Sequence, residues 1–155
     1  MQRFDGQCQC GAVRYRVRGE IATVFACHCR DCQRQSASAF GMALWLQSPE
    51  LSMLQGQLQC WQRRTPSGRV MHCHFCAQCG SRLFHRTEGA GDILSIKPGS
   101  LDDVAGLQPV AHIWTASAQA WWQPPAGVPC YPGSPPAWDA LLQAWRDHAA
   151  SCGQP

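Results

Sequence analysis

Between Ala12 and Arg18 apolar and charged positions alternate without a break. Val13, Tyr15 and Val17 face one way and Arg14, Arg16 and Arg18 the other, which predicts a half-buried strand. Gly19-Glu20 predicts a turn into a second short strand, Thr23 to Ala26. Further strands are predicted at Phe40 to Leu46, Leu51 to Leu54, Leu58 to Gln62 and Arg69 to Phe75, with Thr65-Pro66-Ser67-Gly68 as a turn. Arg82 to Arg86 and Asp92 to Ile96 flank a glycine-containing hairpin loop, and Pro109 to Trp114 is the last strand. Short strands spaced by turns predict an all-β fold. Gln33 to Ser38 reads as a short helical turn or a loop. After a proline-rich crossing from Gln123 to Pro136, the spacing of Trp138, Leu141, Leu142, Trp145 and Ala149 predicts one amphipathic C-terminal helix, with Ser134 as its N-cap. Its tryptophan face either packs on the sheet or forms a homodimer contact. The expected organisation is a domain over residues 1–132 and a helical extension, 133–155, packed on it.

Composition narrows the function classes. The 155 residues suit one domain, charged residues make up 15%, and the net charge of +3 rests on twelve arginines and Lys97. That excess is too mild to point to nucleic acid. The arginine row of the first strand is read as its wet face, with a phosphate or carboxylate contact as the alternative. No apolar run is long enough to span a membrane, and none opens the chain, so a cytoplasmic location is expected. In that compartment eleven cysteines, an odd number, point to metal rather than to disulfides.

The cysteines fall into two sets. Cys8-x-Cys10 and Cys76-x-x-Cys79, each beside a glycine (Gly11 and Gly80), form a four-thiolate set of the kind that closes a structural zinc site. Cys27, Cys29 and Cys32 lie within six residues and offer three corners of a tetrahedron. Either a fourth protein donor closes it, with Cys60, Cys73, His28, His72 and His74 as candidates, or the corner stays open, the mark of a catalytic zinc. An open three-thiolate site suits thiol binding and carbonyl polarisation better than water activation. Cys130 and Cys152 read as ordinary thiols.

Three segments, Gly6 to Tyr15, Cys27 to Ser36 and Phe75 to Ser81, resemble the glutathione-dependent formaldehyde-activating (GFA) family, which includes centromere protein V. The resemblance covers roughly residues 3 to 132. It implies a β-tent of packed antiparallel sheets with zinc knuckles. It also implies a structural zinc on Cys8, Cys10, Cys76 and Cys79, and an exchangeable catalytic zinc on Cys27, Cys29 and Cys32. The implied activity is that of a carbon–sulfur lyase acting on the adduct of glutathione with formaldehyde or a related small aldehyde. Ser36 or His28 would assist proton transfer, and Arg14, Arg30 or Arg34 would hold substrate carboxylates. The chain departs from the family where Ser36-Ala37 replaces the usual Ser-Gly. The alternative function is a non-catalytic zinc module that binds a macromolecule, and a further one is a thiol sensor or metal buffer.

Overall fold

The computed structural model describes residues 1–152. The all-β expectation, with a short C-terminal helix, holds. The strands are β1 (Gln2–Gln7), β2 (Arg14–Cys27), β3 (Gly41–Gln55), β4 (Leu58–Arg64), β5 (Val70–Cys76), β6 (Arg82–Thr87), β7 (Ile93–Ile96) and β8 (His112–Ile113). The two α-helices among the described residues are α1 (Arg30–Ser36) and α2 (Asp139–Ser151).

The chain divides into two interleaved units, one of residues 1–21 and 45–105, the other of residues 22–44 and 106–155. The strand order in the sheet is β1-β2-β3-β7-β6-β5-β4, with β1/β2, β4/β5, β5/β6 and β6/β7 antiparallel, and β2 and β3 each run from one unit into the other. The core of the first unit holds Val13, Tyr15, Val17, Leu46, Leu83, Phe84, Leu94 and Ile96. The Tyr15 ring meets the Phe84 ring edge-on at 6.1 Å. Tyr15 is fully buried, and its hydroxyl pairs with the Ser100 hydroxyl at 2.7 Å, so its polar end is satisfied.

In the second unit β8 runs parallel to the end of β2, pairing Ala26 with His112 and Cys27 with Ile113. The helix α2 packs here. Leu141 and Trp145 are buried, the Thr23 hydroxyl donates to the Leu141 carbonyl at 3.0 Å, and Trp138 lies against Phe25 at 5.6 Å. Two apolar side chains one helical turn apart thus make the buried stripe that the sequence spacing predicts.

Several boundaries differ from the expectations. Gly19-Glu20 is not a turn: Gly19 stands in register opposite Gln2, so β2 is one strand of 14 residues. The two strands expected over residues 40–54 are likewise one, β3, which passes Pro49 with a single left-handed residue, Ser48 at φ 47°. The strand β1 carried no signal. Of its six residues only Phe4 is large and apolar, and its ladder with β2 makes it a strand. Ser134 is not the cap of α2; the N-cap position is Trp138, which makes no side-chain capping bond. Asp139 in the first turn supplies the negative charge that favours a helix start.

Candidate metal centres

The four-thiolate set lies wholly in the first unit. Cys8 and Cys10 sit just past β1; Cys76 ends β5, and Cys79 lies in the turn before β6. All four sulfurs fall within 4.8 Å of one another. Two like turns aim them. The Gly11 amide donates to the Cys8 carbonyl at 3.0 Å and the Gly80 amide to the Cys76 carbonyl at 2.9 Å. Both glycines are left-handed, at φ 75° and 73°, a conformation that a side chain would strain. Cys8 and Cys10 sulfurs lie 3.5 Å apart and Cys10 and Cys76 sulfurs 3.8 Å. A tetrahedron with 2.3 Å zinc–sulfur bonds has edges of about 3.8 Å, so the spacing fits a four-thiolate zinc site.

Polar groups favour the charged form of Cys8 and Cys79, whereas the Ala12 amide at Cys10 is outweighed by the neighbouring Cys8 and Cys79 thiols, which push Cys10 up to about 11. The Val13 amide donates to the Cys8 sulfur at 3.2 Å, and Ser81 Oγ lies 3.2 Å from the Cys79 sulfur. Burial opposes ionisation of Cys8, yet the Val13 amide and the adjoining Cys10 and Cys76 thiols outweigh it, and its pKa is lowered. Ser81 brings Cys79 down to about 5.

The three-thiolate set lies in the second unit. Cys27 is the last residue of β2, Cys29 is the N-cap of α1, and Cys32 is in its first turn. The Cys32 amide donates to the Cys29 sulfur at 3.4 Å, so the cap that starts the helix is itself one of the three thiols. The three sulfurs share one focus within 4.8 Å, and no fourth His, Cys, Asp or Glu joins them among the described residues. Cys27 is buried and its thiol is pushed far up, chiefly by the neighbouring Cys29 and Cys32. Cys29 is held low by hydrogen bonds from Cys27 and Cys32, with backbone amides adding. Soft thiolates converging on one point suit zinc.

Gln33 holds this loop, and sequence reading passed over it as one polar residue among many. It is only 4% exposed. Its amide nitrogen donates to the His28 carbonyl at 2.6 Å and to the Ser117 carbonyl at 2.8 Å. Its amide oxygen accepts from Arg30 Nη1 and from Gln119 Nε2, the latter at 3.2 Å. His28 is fully buried between the ligand positions, and its Nε2 pairs with His112 Nδ1 at 2.9 Å. Trp122 and Phe40 pack on the His28 ring at 4.3 and 5.1 Å. Burial lowers the pKa of His28 and takes His112 down to about 4, so both imidazoles are neutral near pH 7. His28 Nδ1 has no hydrogen-bond partner among the described residues.

The other expected site residues fall as follows. The Ser36 hydroxyl bonds the Cys32 and Phe40 carbonyls at 2.8 and 3.0 Å, bracing the end of α1. Arg14 pairs with Asp102 at 3.0 Å and Arg16 with Asp5 at 2.7 Å, so these members of the arginine row are engaged on their own wet face. Arg34 lies 3.9 Å from Asp31. Arg30 is bonded to Gln33 and has no carboxylate partner among the described residues.

These features define a β-sheet protein with two unlike cysteine centres, each able to hold a metal ion, one with four protein sulfurs and one with three. The sequence profile of the glutathione-dependent formaldehyde-activating enzyme (GFA) family matches residues 3–117, and the chain belongs to that family. In fold it is similar to the crystal structure of a Rhodobacter sphaeroides protein, with a TM-score of 0.50 and 23% identity over 68% of this chain and 91% of the other. No helix among the described residues is long and apolar enough to cross a membrane.

Proposed function

We propose that the chain joins a small thiol to a small aldehyde, with glutathione and formaldehyde as the first pair to test, at Cys27, Cys29 and Cys32. The observation that carries this reading is the shared focus of three sulfurs with no fourth protein donor among the described residues. The family name supplies the substrate pair. In the reaction the thiol sulfur bonds the carbonyl carbon and the thiol proton passes to the carbonyl oxygen, giving S-hydroxymethylglutathione. The reverse step cleaves a carbon–sulfur bond, which makes the activity that of a carbon–sulfur lyase.

Cys27, Cys29 and Cys32 would hold the reactive zinc, and Cys8, Cys10, Cys76 and Cys79 a structural one. Zinc bound at the three-thiolate site would supply positive charge that makes an incoming thiol acidic near neutral pH. The chain's own groups position the reactants. Gln33 fixes the carbonyl between the ligand positions and tethers the Arg30 guanidinium beside Cys29. That guanidinium fork matches a substrate carboxylate. Neutral His28, closed in by Trp122 and Phe40, keeps water from that side of the loop. Ser36 takes a bracing role, since its proton is committed to backbone carbonyls.

The test mixes zinc-loaded protein with glutathione and formaldehyde and follows adduct exchange by NMR. Acceleration over the uncatalysed rate is expected, with Cys29→Ser reduced to background while still folded and binding one zinc in place of two. A wild-type rate no faster than the background removes the reading.

A further inference from the structure

A second cluster of chemistry lies in the first unit, on β4 to β7, and uses no cysteine of the two metal centres. Trp61 on β4 is in register with Cys73 on β5, and Cys73 with His85 on β6. Beside this row, Arg82 is in register with Phe75. Its guanidinium carbon lies 5.8 Å from the centre of the Trp61 ring and 5.9 Å from that of Phe75. Arg82 Nη1 donates to His85 Nε2 at 3.3 Å. A guanidinium can only donate, so that imidazole nitrogen is bare and the ring is neutral. Lys97 is tied across from Leu83 by its amide, 2.8 Å from the Leu83 carbonyl. Arg63 stands two residues from Trp61 and so on the same face of β4.

The charges that act on His85 are cationic. Burial, then Lys97, Arg82 and Arg63, hold His85 in its neutral form. The structure gives Arg82 no carboxylate partner among the described residues, although the side chain is half-buried. A cation withdrawn from water without a counter-charge is costly. A guanidinium pre-ordered against aromatic faces keeps its N–H edge for a planar, two-oxygen partner. Trp61 is 53% exposed and offers apolar surface next to that edge.

We propose that Arg82, flanked by Trp61 and Phe75, is the anchor of a binding site for a small organic acid, whose carboxylate takes the guanidinium edge and whose carbon skeleton lies on Trp61. The aromatic wall is what separates this ligand class from inorganic phosphate, which has no apolar part to place there.

The test uses zinc-loaded protein labelled with 15N-arginine, titrated with succinate, with succinamide and with inorganic phosphate, while the arginine Nε–Hε signals are followed. Arg82→Gln assigns the Arg82 signal. Succinate is expected to move it saturably and succinamide to leave it in place. Succinate affinity by calorimetry should fall at least about tenfold in Arg82→Gln and several-fold in Trp61→Ala, and stay unchanged in Arg69→Gln, a cation of the exposed β4–β5 turn. The proposal is overturned by no saturable shift with succinate, by an equal shift with succinamide, by phosphate binding as tightly as succinate, or by unchanged affinity in Arg82→Gln. Should Arg82→Gln fail to fold, the exposed Trp61→Ala decides, and unchanged succinate affinity there overturns the site.

Discussion

Ala37 caps the C-terminal end of α1 at φ 48° and ψ 39°, where glycine is the ordinary residue and where the GFA resemblance leads one to expect it. Relief of the left-handed strain is worth roughly 1–2 kcal/mol, and the freer unfolded chain takes back part of it. Ala37→Gly should therefore raise stability by about 0.5–1 kcal/mol, read as a higher urea midpoint at unchanged slope. Gln33 is the other telling residue, because its nitrogen donates to two carbonyls that a carboxylate would face unpaired. If the three-thiolate site holds zinc, Gln33→Glu should weaken that binding by roughly 10–100-fold, as losing a group that orients a ligand usually does. Competition with a coloured chelator measures it, and an unchanged affinity would count against Gln33 as the holder of the loop. The thiols themselves were legible in the sequence because ligand spacing is local. Gln33 was not, since its partners Ser117 and Gln119 are brought to it only by the fold.

Among the elements, the paired turns at Cys8–Gly11 and Cys76–Gly80 tie the end of β1 to the turn between β5 and β6. If zinc fills that site it contributes on the order of 10 kcal/mol to folding, so Cys79→Ser should lose the cooperative unfolding transition, which circular dichroism would show. A normal melt in that variant would mean that the sheet stands without its clamp. Alternation exposed the first half of β2 in the sequence, and the periodicity of Leu141 and Trp145 exposed α2. The continuity of β2 and β3 was hidden because Gly19, Ser48 and Pro49 usually interrupt a strand. Here the register with β1 carries the chain through Gly19, and one left-handed residue lets β3 continue past Ser48.

For the molecule as a whole, buried histidines set the acid side of stability. His85 is neutral in the fold, brought down to about 2 by burial, then by Lys97, Arg82 and Arg63. In the unfolded chain it titrates near 6.5. Its contribution is thus complete above that pH. As pH falls below about 6.5 the unfolded state gains a proton that the folded state refuses, and stability drops by ~1.4 kcal/mol per pH unit. Urea melts of wild type and His85→Gln between pH 7.5 and 5 should show the wild type steeper by that amount, and parallel curves would refute it. The two cysteine centres also differ in how their ligands are spread along the chain. The second is complete once Cys32 has been made, whereas the first waits for Cys79. During translation Cys8 and Cys10 therefore leave the ribosome in the company of the wrong partners. The compact loop can capture metal first simply because its three sulfurs are already neighbours. If both centres take a metal, faithful loading becomes a matter of timing, in which the early site would have to hold its ion without recruiting the two waiting thiols.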